Sequence, residues 1–220
     1  MQRGVFITFE GSEGCGKSTQ IDRLCKRLRE AGREVLVTRE PGGTEVGEVV
    51  RHLLKFAPEG KNMVPEAELL LFTASRAQLV REVVRPAVER GVVVISDRFM
   101  DSTVVYQGVA RQISAEAVKF INGFAVGTCV PDVTFILDMD SAEAMRRAHE
   151  RREVDEPTDR MEQEEAEFYE AVRQGYLDLA ERETDRCVIV PADRKRDDIE
   201  RVIWERLNNS NHGILQIDSV

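Results

Sequence analysis

Short apolar runs alternate with longer amphipathic segments along the chain. The runs are rich in β-branched residues, which is typical of strands buried on both faces of a parallel sheet. They predict five strands, at 5–9, 34–38, 92–95, 133–137 and 187–190. Between the runs, apolar residues recur every three or four positions, which indicates helices. The pattern therefore predicts an α/β fold, a five-stranded parallel sheet with helices on both faces.

Local signals predict several helix ends. Thr44 follows a loop rich in glycine and proline, and we expect it to cap the helix that comes next. Ser141 is expected to cap the helix after the fourth strand. A long helical pattern covers 65–90, and Pro86 should kink or restart that helix because proline has no backbone N–H.

The strongest chemical signal is GSEGCGKST at 11–19, directly after the first predicted strand. It matches the phosphate-binding pattern GxxxxGKS, in which glycines let consecutive backbone N–H groups wrap a polyphosphate. Lys17 can reach the β- and γ-phosphates, and Ser18 can offer its hydroxyl to Mg²⁺. A simple Gly-rich turn has no need of the Gly-Lys-Ser ending. We therefore expect a nucleoside triphosphate to contact the loop, which consists of Gly11, Ser12, Glu13, Gly14, Cys15, Gly16, Lys17, Ser18 and Thr19.

Further candidate residues follow other strands. Asp97 ends the third strand, where an acid can orient Mg²⁺ and its waters, and Arg39 follows the second strand at the expected ligand crevice. Phe72 and Arg76 are four residues apart and share a helical face, although spacing alone favours a core phenylalanine and a solvated arginine. Two more pairs lie four apart on a helical turn after Asp97, namely Ser102 with Tyr106 and Thr103 with Gln107.

Composition narrows the class of protein. The formal net charge of −9 disfavours nucleic acid or an anionic membrane as a partner. No apolar run approaches the roughly 20 residues of a membrane span, and the first residues lead into a strand rather than a signal peptide, so a cytoplasmic protein is expected. The spacing of the four cysteines fits neither a metal site nor a disulfide framework. We expect a single domain at 1–207, and the tail at 208–220 receives no function.

An arginine-rich stretch covers about 146–160 and contains almost no apolar residue. A run of charges is usually a solvated surface. Here the run holds Arg146, Arg147, Arg151 and Arg152 in an acidic chain that carries a phosphate-binding loop. This favours the hypothesis of a lid that closes on a charged ligand.

Several motifs occur in order over about 5–207, and together they are far more specific than the phosphate loop. They are FEGSEGCGKST at 9–19, TREPGGT at 38–44, LLLFTASRAQ at 69–78, DRFMDSTVVYQG at 97–108, PDVTFILD at 131–138 and DRMEQE at 159–164. In these motifs the chain resembles the bacterial thymidylate kinases. The resemblance implies a P-loop kinase that transfers a phosphoryl group from ATP to dTMP with Mg²⁺, and it suggests a homodimer.

The resemblance also implies roles for single residues. Glu13 would lie near the acceptor's 3′-hydroxyl and the metal, and Arg39 and Arg98 would hold the acceptor phosphate. Phe72 would stack on thymine and Arg76 would hydrogen-bond its edge. Ser102, Thr103 and Gln107 would lie in the acceptor site, with Tyr106 against the 2′ position. The metal would contact Ser18, Glu13 and Asp97. The catalytic residues would be Lys17, Asp97, Arg98 and Arg151 or Arg152.

One variation within the family bears on catalysis. Some members carry a basic residue directly after the loop acid, where this chain has Gly14. We therefore expect the missing positive charge to come from the lid. Two alternatives stay open, a kinase for another nucleotide or deoxynucleoside and a nucleotide-dependent switch protein. The chain lacks the NKxD guanine-reading motif of such switches.

Overall fold

The computed structural model describes residues 3–151, 160–208 and 215. Its sheet is formed by β1 (Phe6–Glu10), β2 (Val35–Arg39), β3 (Val93–Asp97), β4 (Val133–Asp138) and β5 (Cys187–Pro191). The strands pair in the order β2-β3-β1-β4-β5, and every pairing is parallel. The predicted five-stranded parallel sheet is therefore confirmed, and the strand ends agree within one residue except that β3 extends two residues beyond its predicted end.

The strand order places a crevice at the carboxyl end of β1. From β1 the chain crosses over β3 to reach β2, whereas β4 pairs with β1 on its other side. Ligands of open parallel sheets bind where the strand order reverses in this way. The residues that follow β1 and β3 therefore face one another across the expected binding crevice.

Helices connect the strands. They are α1 (Lys17–Glu30), α2 (Glu45–Lys55), α3 (Pro65–Leu79), α4 (Arg85–Glu89), α5 (Met100–Thr103), α6 (Ala115–Val126), α7 (Ser141–Arg151), α8 (Ala166–Arg182) and α9 (Arg196–Asn208). Short 3₁₀ turns lie at Pro58–Gly60 and Arg160–Gln163.

The core lies on both faces of the sheet. Ile7 and Phe9 of β1 point to one face, where they join a buried cluster with residues of α1 and α9. Phe6 points to the opposite face and packs with residues of α4 and the end of α3. On that same face, Ile136 of β4 packs against α8. Helices thus cover both faces, as the apolar pattern of the strands predicts.

Two helical segments are widened to π-helix. The first, Val80–Val84, joins α3 directly to α4 just before Pro86. Proline cannot donate to the carbonyl four residues earlier, and its ring crowds that carbonyl, so the wider turn accommodates it. The predicted restart at Pro86 is therefore confirmed. The second, Val104–Ala110, follows α5 and carries Tyr106 and Gln107.

One predicted cap is correct and one is wrong. The Thr44 hydroxyl accepts a hydrogen bond from the Gly47 backbone N–H at 2.9 Å, so Thr44 caps α2. Ser141 is instead the first residue of α7, and the cap is Asp140, whose carboxylate accepts from the Glu143 N–H at 3.1 Å. Asp140 and Ser141 are both good capping residues, and the strand-to-helix path selects the earlier one.

The remaining expectations concern cysteines, lid and tail. All four cysteines are buried and unpaired, in agreement with the absence of a disulfide framework.

Residues 146–151 of the expected lid belong to α7, and residues 152–159 lie outside the described part of the chain. Leu215 in the tail is buried in the cluster with α1 and α9, and its N–H donates to the Leu207 carbonyl at 3.0 Å. Among the described residues, no helix is long and apolar enough to span a membrane.

Candidate active site

The phosphate loop connects β1 to α1. Gly11, Gly14 and Gly16 all have positive φ angles, of 128°, 80° and 97°, which favour glycine. A Cβ at Gly11 would lie 2.5 Å from the Leu137 carbonyl oxygen, whereas a Cβ at Gly16 would meet no atom within 4 Å. The loop is therefore packed against β4 on one side and open at its entrance to α1, where the helix N-terminus favours an anion.

Gly14 is packed against the backbone of α7. A Cβ at this position would lie 2.0 Å from the Ala144 carbonyl oxygen and 2.9 Å from the Ala148 nitrogen. A basic side chain after the loop acid thus has no room here without a shift of α7. The packing and the positive φ explain why this chain needs glycine at position 14.

Lys17 lies folded into the loop. It is only 6 % exposed, and its Nζ donates to the Ser12 carbonyl at 2.8 Å and to the Gly11 carbonyl at 3.2 Å. Burial and the Arg98 charge act to lower the pKa of Lys17, but neighbouring groups including Glu13 outweigh them and raise it. Lys17 is therefore a cation at neutral pH, held in the loop that would receive the phosphates.

Arg98 lies opposite Lys17, directly after β3. Its backbone has a φ of 67°, and the Ser96 hydroxyl donates to the Arg98 carbonyl at 2.6 Å, which supports this unusual turn. The guanidinium donates to the Glu13 carboxylate at 3.0 Å and lies 5.2 Å from the Tyr106 ring centroid. The Lys17 charge, with a further contribution from Arg98, lowers the pKa of Glu13. Glu13 is therefore an anion between two cations.

A phosphate chamber lies between these groups. It is lined by Glu13, Gly14, Gly16, Lys17, Ser18, Arg39, Glu40, Arg51, Lys55, Asp97 and Arg98. Arg39 reaches it from the end of β2 and is 52 % exposed, with one Nη 3.0 Å from both carboxylate oxygens of Glu48. The structure thus brings the predicted phosphate-contacting residues of β1, β2 and β3 to one chamber.

Asp97 and Ser18 line this chamber and could provide oxygen atoms for a metal. The Asp97 Oδ1 is buried and has no hydrogen-bond partner in the part of the chain that the structure describes. A buried carboxylate oxygen without a donor is costly unless it faces a cation or an ordered water. No group of three or more His, Cys, Asp or Glu side chains among the described residues could hold a metal. A metal here would therefore depend on water and ligand phosphates for its other contacts, which suits Mg²⁺.

A side pocket opens next to the chamber, with an empty volume of about 560 Å³. Its lining includes Phe72, Thr103, Tyr106, Gln107, Met161 and Tyr169, and it shares Glu13 and Arg98 with the phosphate chamber. An aromatic and apolar wall beside a cationic chamber fits a ligand with a flat ring and an anionic group. Neither Met161 nor Tyr169 was predicted as a site residue, although Met161 lies in the motif at 159–164, and the segment after 152–159 brings both to the pocket.

Arg76 lies behind the wall of the side pocket. It is 1 % exposed, and all its guanidinium N–H groups have partners: the Glu40 carboxylate, the Thr103 hydroxyl, the Asn122 side-chain oxygen and the Phe99 carbonyl. Arg76 is thus a buried ion-paired residue rather than a solvated charge. A direct hydrogen bond from Arg76 to a base stays a prediction, and it would require one of these partners to be exchanged.

Glu10 is a buried carboxyl that the sequence did not single out. It ends β1, and its two oxygens accept from the Phe99 backbone N–H at 2.8 Å, the Ser102 hydroxyl at 2.6 Å and the Tyr176 hydroxyl at 2.8 Å. The Tyr176 hydroxyl lies 3.4 Å from a guanidinium nitrogen of Arg98, as a weak contact. Glu10 therefore links the strand before the phosphate loop to the turn that carries Arg98.

Replacement of Glu10 by glutamine should remove a pH dependence of stability. Burial, and secondly the Asp101 charge, raise the pKa of Glu10 from 4.5 to about 7 in the folded protein. The folded state then holds a proton that the unfolded chain releases at lower pH, so this stabilising contribution is lost as pH rises through 7. From pH 5 to pH 8, the free energy of unfolding of the wild type should fall by roughly 2 to 3 kcal/mol relative to Glu10→Gln. Urea denaturation at both pH values measures this, and a constant difference between the two proteins would show that Glu10 ionises normally.

The arginines of α7 differ in their surroundings. Arg146 is 54 % exposed and is paired with Glu143 and Glu150 on its own helix. Arg147 also pairs with Glu143, and it lines a cavity with Gly16 and Thr19 at the start of α1. The side chain of Arg151 and the whole of Arg152 lie outside the described residues, so the catalytic role expected for one of them stays a prediction.

Comparisons with known proteins agree on one family. The sequence model of the family described as Thymidylate kinase matches residues 9–203. The thymidylate kinase of Deinococcus radiodurans is 45 % identical over 212 residues, which cover 96 % of this chain and 100 % of that protein. The thymidylate kinase of Halothermothrix orenii is 45 % identical over 205 residues, which cover 93 % and 97 %.

A solved structure supports the same assignment. The crystal structure of thymidylate kinase from Ehrlichia chaffeensis superimposes with a TM-score of 0.74 at 31 % identity, covering 94 % of this chain and 99 % of that one. Sequence and fold thus agree over almost the full length of both chains. On these matches, the chain belongs to the thymidylate kinase family.

Proposed function

We propose that this protein transfers the γ-phosphoryl group of ATP to dTMP, giving ADP and dTDP. The observation that carries the proposal is the shared border of the two cavities: Glu13 and Arg98 line both the phosphate chamber and the side pocket. An acceptor nucleotide whose base fills the side pocket therefore directs its phosphate towards the loop that binds ATP. This geometry is what transfer between two bound nucleotides needs.

On the donor side, the protein neutralises and positions charge. Backbone N–H groups of the loop and the N-terminus of α1 would surround the β- and γ-phosphates, and Lys17 would leave its carbonyl partners to contact them. The lysine stays protonated in this buried position, as its raised pKa requires. Its charge is therefore available as negative charge shifts during transfer.

On the acceptor side, Arg98 and Arg39 would hold the phosphate of dTMP. That phosphate is already a nucleophile, so no side chain has to act as a strong base. The Glu13 carboxylate, kept ionised by Lys17 and Arg98, would accept a hydrogen bond from the sugar 3′-hydroxyl. Ser102 borders the side pocket close to Arg98, with its Oγ 3.3 Å from a guanidinium nitrogen.

The base would occupy the apolar end of the side pocket. Phe72 offers an aromatic face there, and Thr103 and Gln107 offer polar atoms. Tyr106 is 9 % exposed at the same wall, where it would crowd a 2′-hydroxyl and favour deoxyribose. These side chains come from α3, α5 and the π-helical segment, so the pocket depends on how those elements pack.

We propose Mg²⁺ as the metal, held by Ser18 and Asp97 with water and phosphate oxygens, and with Glu13 close to it. Bound Mg²⁺ would offset negative charge on the β- and γ-phosphates. The buried Asp97 Oδ1 without a hydrogen-bond partner among the described residues supports this assignment.

A panel of acceptors tests the proposed reaction. Purified protein with ATP and Mg²⁺ should release ADP rapidly with dTMP, more slowly with dUMP, and hardly with dCMP, dGMP or thymidine. Thymidine is the control for the phosphate contacts, since it presents the same base without the group that Arg98 and Arg39 would hold. Faster turnover of another acceptor than of dTMP would contradict the proposed substrate.

We also propose that the protein forms a homodimer through α6. Phe120 and Phe124 are four residues apart on this helix, and each is 76 % exposed. Leu70 on the neighbouring α3 is 55 % exposed, and α3 and α6 pack together. A surface of this kind favours contact with another protein surface. A second copy of the chain fits because both faces would be apolar and the contact would close on itself.

Replacement of Phe124 by glutamate should convert the dimer to a monomer. A charge buried at the centre of an apolar interface is costly, so the dissociation constant should rise at least a hundredfold. Sedimentation velocity at micromolar concentration measures the change, with Glu116→Gln on the same helix as the control. A wild-type protein that sediments as a monomer, or a Phe124→Glu variant that remains dimeric, would contradict this interface.

We further propose that residues 1–207 act as one kinase domain in the cytoplasm. One sheet with a core on both faces supports a single folding unit. Free buried cysteines suit a reducing compartment. Cell fractionation that found the kinase activity outside the cytoplasm would contradict the location.

A further inference from the structure

Three residues of α3 share one side of the helix at four-residue spacing: Glu68, Phe72 and Arg76. Phe72 lines the pocket, whereas the two charged residues are each 1 % exposed and lie one turn to either side of it. Buried charges are costly and need specific partners. The partners of Glu68 and Arg76 include two polar residues of the pocket wall, Gln107 and Thr103.

Glu68 is held by three donor residues from two segments of the chain. Its Oε1 accepts from the Gln107 Nε2 at 2.8 Å and from the Arg111 Nε at 3.3 Å. Its Oε2 accepts from the Arg160 Nη2 at 2.5 Å. Burial alone would raise the pKa of Glu68, but hydrogen bonds from Gln107 and Arg160 and the charges of Arg111 and Arg160 outweigh it and lower the pKa. Glu68 is therefore an ionised carboxylate at neutral pH.

An ionised carboxylate can only accept hydrogen bonds, and this fixes the orientation of the Gln107 amide. The NH₂ group must face Glu68, because the opposite orientation would bring two oxygen acceptors together. The carbonyl oxygen of Gln107 then remains for a ligand in the side pocket, where Gln107 is part of the lining. The pocket wall thus presents an acceptor at this point.

Arg76 fixes the hydrogen bonding of Thr103 in a similar way, but it leaves Thr103 with a donor to offer rather than an acceptor. A guanidinium can only donate, and the Arg76 Nη1 donates to the Thr103 hydroxyl oxygen at 2.8 Å. The hydroxyl hydrogen of Thr103 then remains to be donated to another acceptor. Thr103 and Gln107 both line the side pocket, so its wall offers a donor and an acceptor.

We propose that Glu68 is a positioning residue that sets base specificity by holding the Gln107 amide with its carbonyl oxygen towards the base. The proposal rests on the proposed dTMP kinase activity. Thymine and uracil present a carbonyl oxygen beside an N–H on their pairing edge, which complements the Thr103 donor and the Gln107 acceptor. Cytosine presents an amine beside an unprotonated nitrogen, which places donor against donor and acceptor against acceptor.

The test is a comparison of kcat/KM for dTMP and dCMP in wild type and Glu68→Gln. A glutamine at 68 can accept or donate, so the Gln107 amide becomes free to turn over. The dTMP-to-dCMP ratio should fall at least tenfold in Glu68→Gln, because a reversed Gln107 amide opposes the base N–H of dTMP and donates to the unprotonated ring nitrogen of dCMP. Arg111→Met is the matched control: it removes another partner of Glu68 but keeps the contact with Gln107, so the ratio should stay within about twofold of wild type.

Gln107→Leu completes a double-mutant cycle and keeps the test valid if Glu68→Gln does not fold. Gln107→Leu alone should lower the ratio, and Glu68→Gln should change it no further in that background. An unchanged ratio in Glu68→Gln, an equal fall in both backgrounds, or an unchanged ratio in Gln107→Leu would overturn the inference. If the wild type phosphorylates dTMP but the variants give one of these results, only the role of Glu68 is contradicted. If the wild type is inactive on dTMP, the proposed function itself is contradicted.

Discussion

Replacement of Lys17 by alanine is expected to lower kcat by three orders of magnitude or more while the fold stays intact. Lys17 is buried in the phosphate loop, and its raised pKa keeps it charged where negative charge would shift during transfer. Removal of one preorganised cationic side chain at a transferring phosphoryl group costs roughly 10³–10⁵ in rate. Steady-state kinetics at saturating ATP and dTMP measure the loss, with circular dichroism as the check on folding.

Lys26→Ala is the matched control for this variant. Lys26 lies on the same helix, is 80 % exposed and has an ion-pair contact with Glu30 at 3.9 Å. Such a surface pair contributes little to stability, and Lys26 does not line the phosphate chamber, so kcat should change by less than about twofold. Comparable kcat values for Lys17→Ala and Lys26→Ala would contradict the assignment of the loop to ATP.

The second large effect is expected at Arg151 or Arg152. Position 14 cannot hold a basic side chain because the α7 backbone occupies that space. A positive charge that stabilises the transition state would therefore have to come from another residue. An arginine that contacts the transferred phosphoryl group contributes on the order of 10³-fold to kcat. The alanine variant of the critical arginine should therefore lose about that factor in kcat, with a smaller change in either KM.

Arg146→Ala provides the comparison on the same helix. Glu143 and Glu150 already pair with Arg146, and it is more than half exposed, so its removal should leave kcat nearly unchanged. Both single variants and this control are assayed at saturating ATP and dTMP. Near-normal kcat in both Arg151→Ala and Arg152→Ala would contradict a catalytic role for the stretch and leave Lys17 and Arg98 as the cations at the transferred group.

Contiguous patterns explain what the sequence could predict. The five strands follow from runs buried on both faces, and the phosphate loop follows from nine consecutive residues whose glycines have the expected positive φ angles. Arg39 and Asp97 were expected at one crevice because the carboxyl ends of parallel strands meet there, Arg98 was assigned to it by the resemblance, and the structure brings all three to one chamber. Apart from the role of Arg98, these inferences need only local sequence and one general rule of topology.

Long-range contacts explain what the sequence could not predict. Glu10 is surrounded by donors from Phe99, Ser102 and Tyr176, which are 89 to 166 residues away in sequence. Glu68 lies in the first turn of α3, where an acidic residue is ordinarily explained by the helix dipole. Its contacts with Gln107 and Arg160 exist only once three segments pack together. The hydrogen-bond partners of Arg76 could not be predicted from its spacing to Phe72 either, because they come from other segments of the chain.

The most direct test of the central claim is the identity of the product formed from labelled ATP. With [γ-³²P]ATP, Mg²⁺ and dTMP, the wild type should transfer the label to a new nucleotide that comigrates with dTDP, one label for each ADP formed, and Lys17→Ala should form almost none. Label released as inorganic phosphate at the same rate with and without dTMP would contradict the account, because the protein would then hydrolyse ATP without using the acceptor pocket.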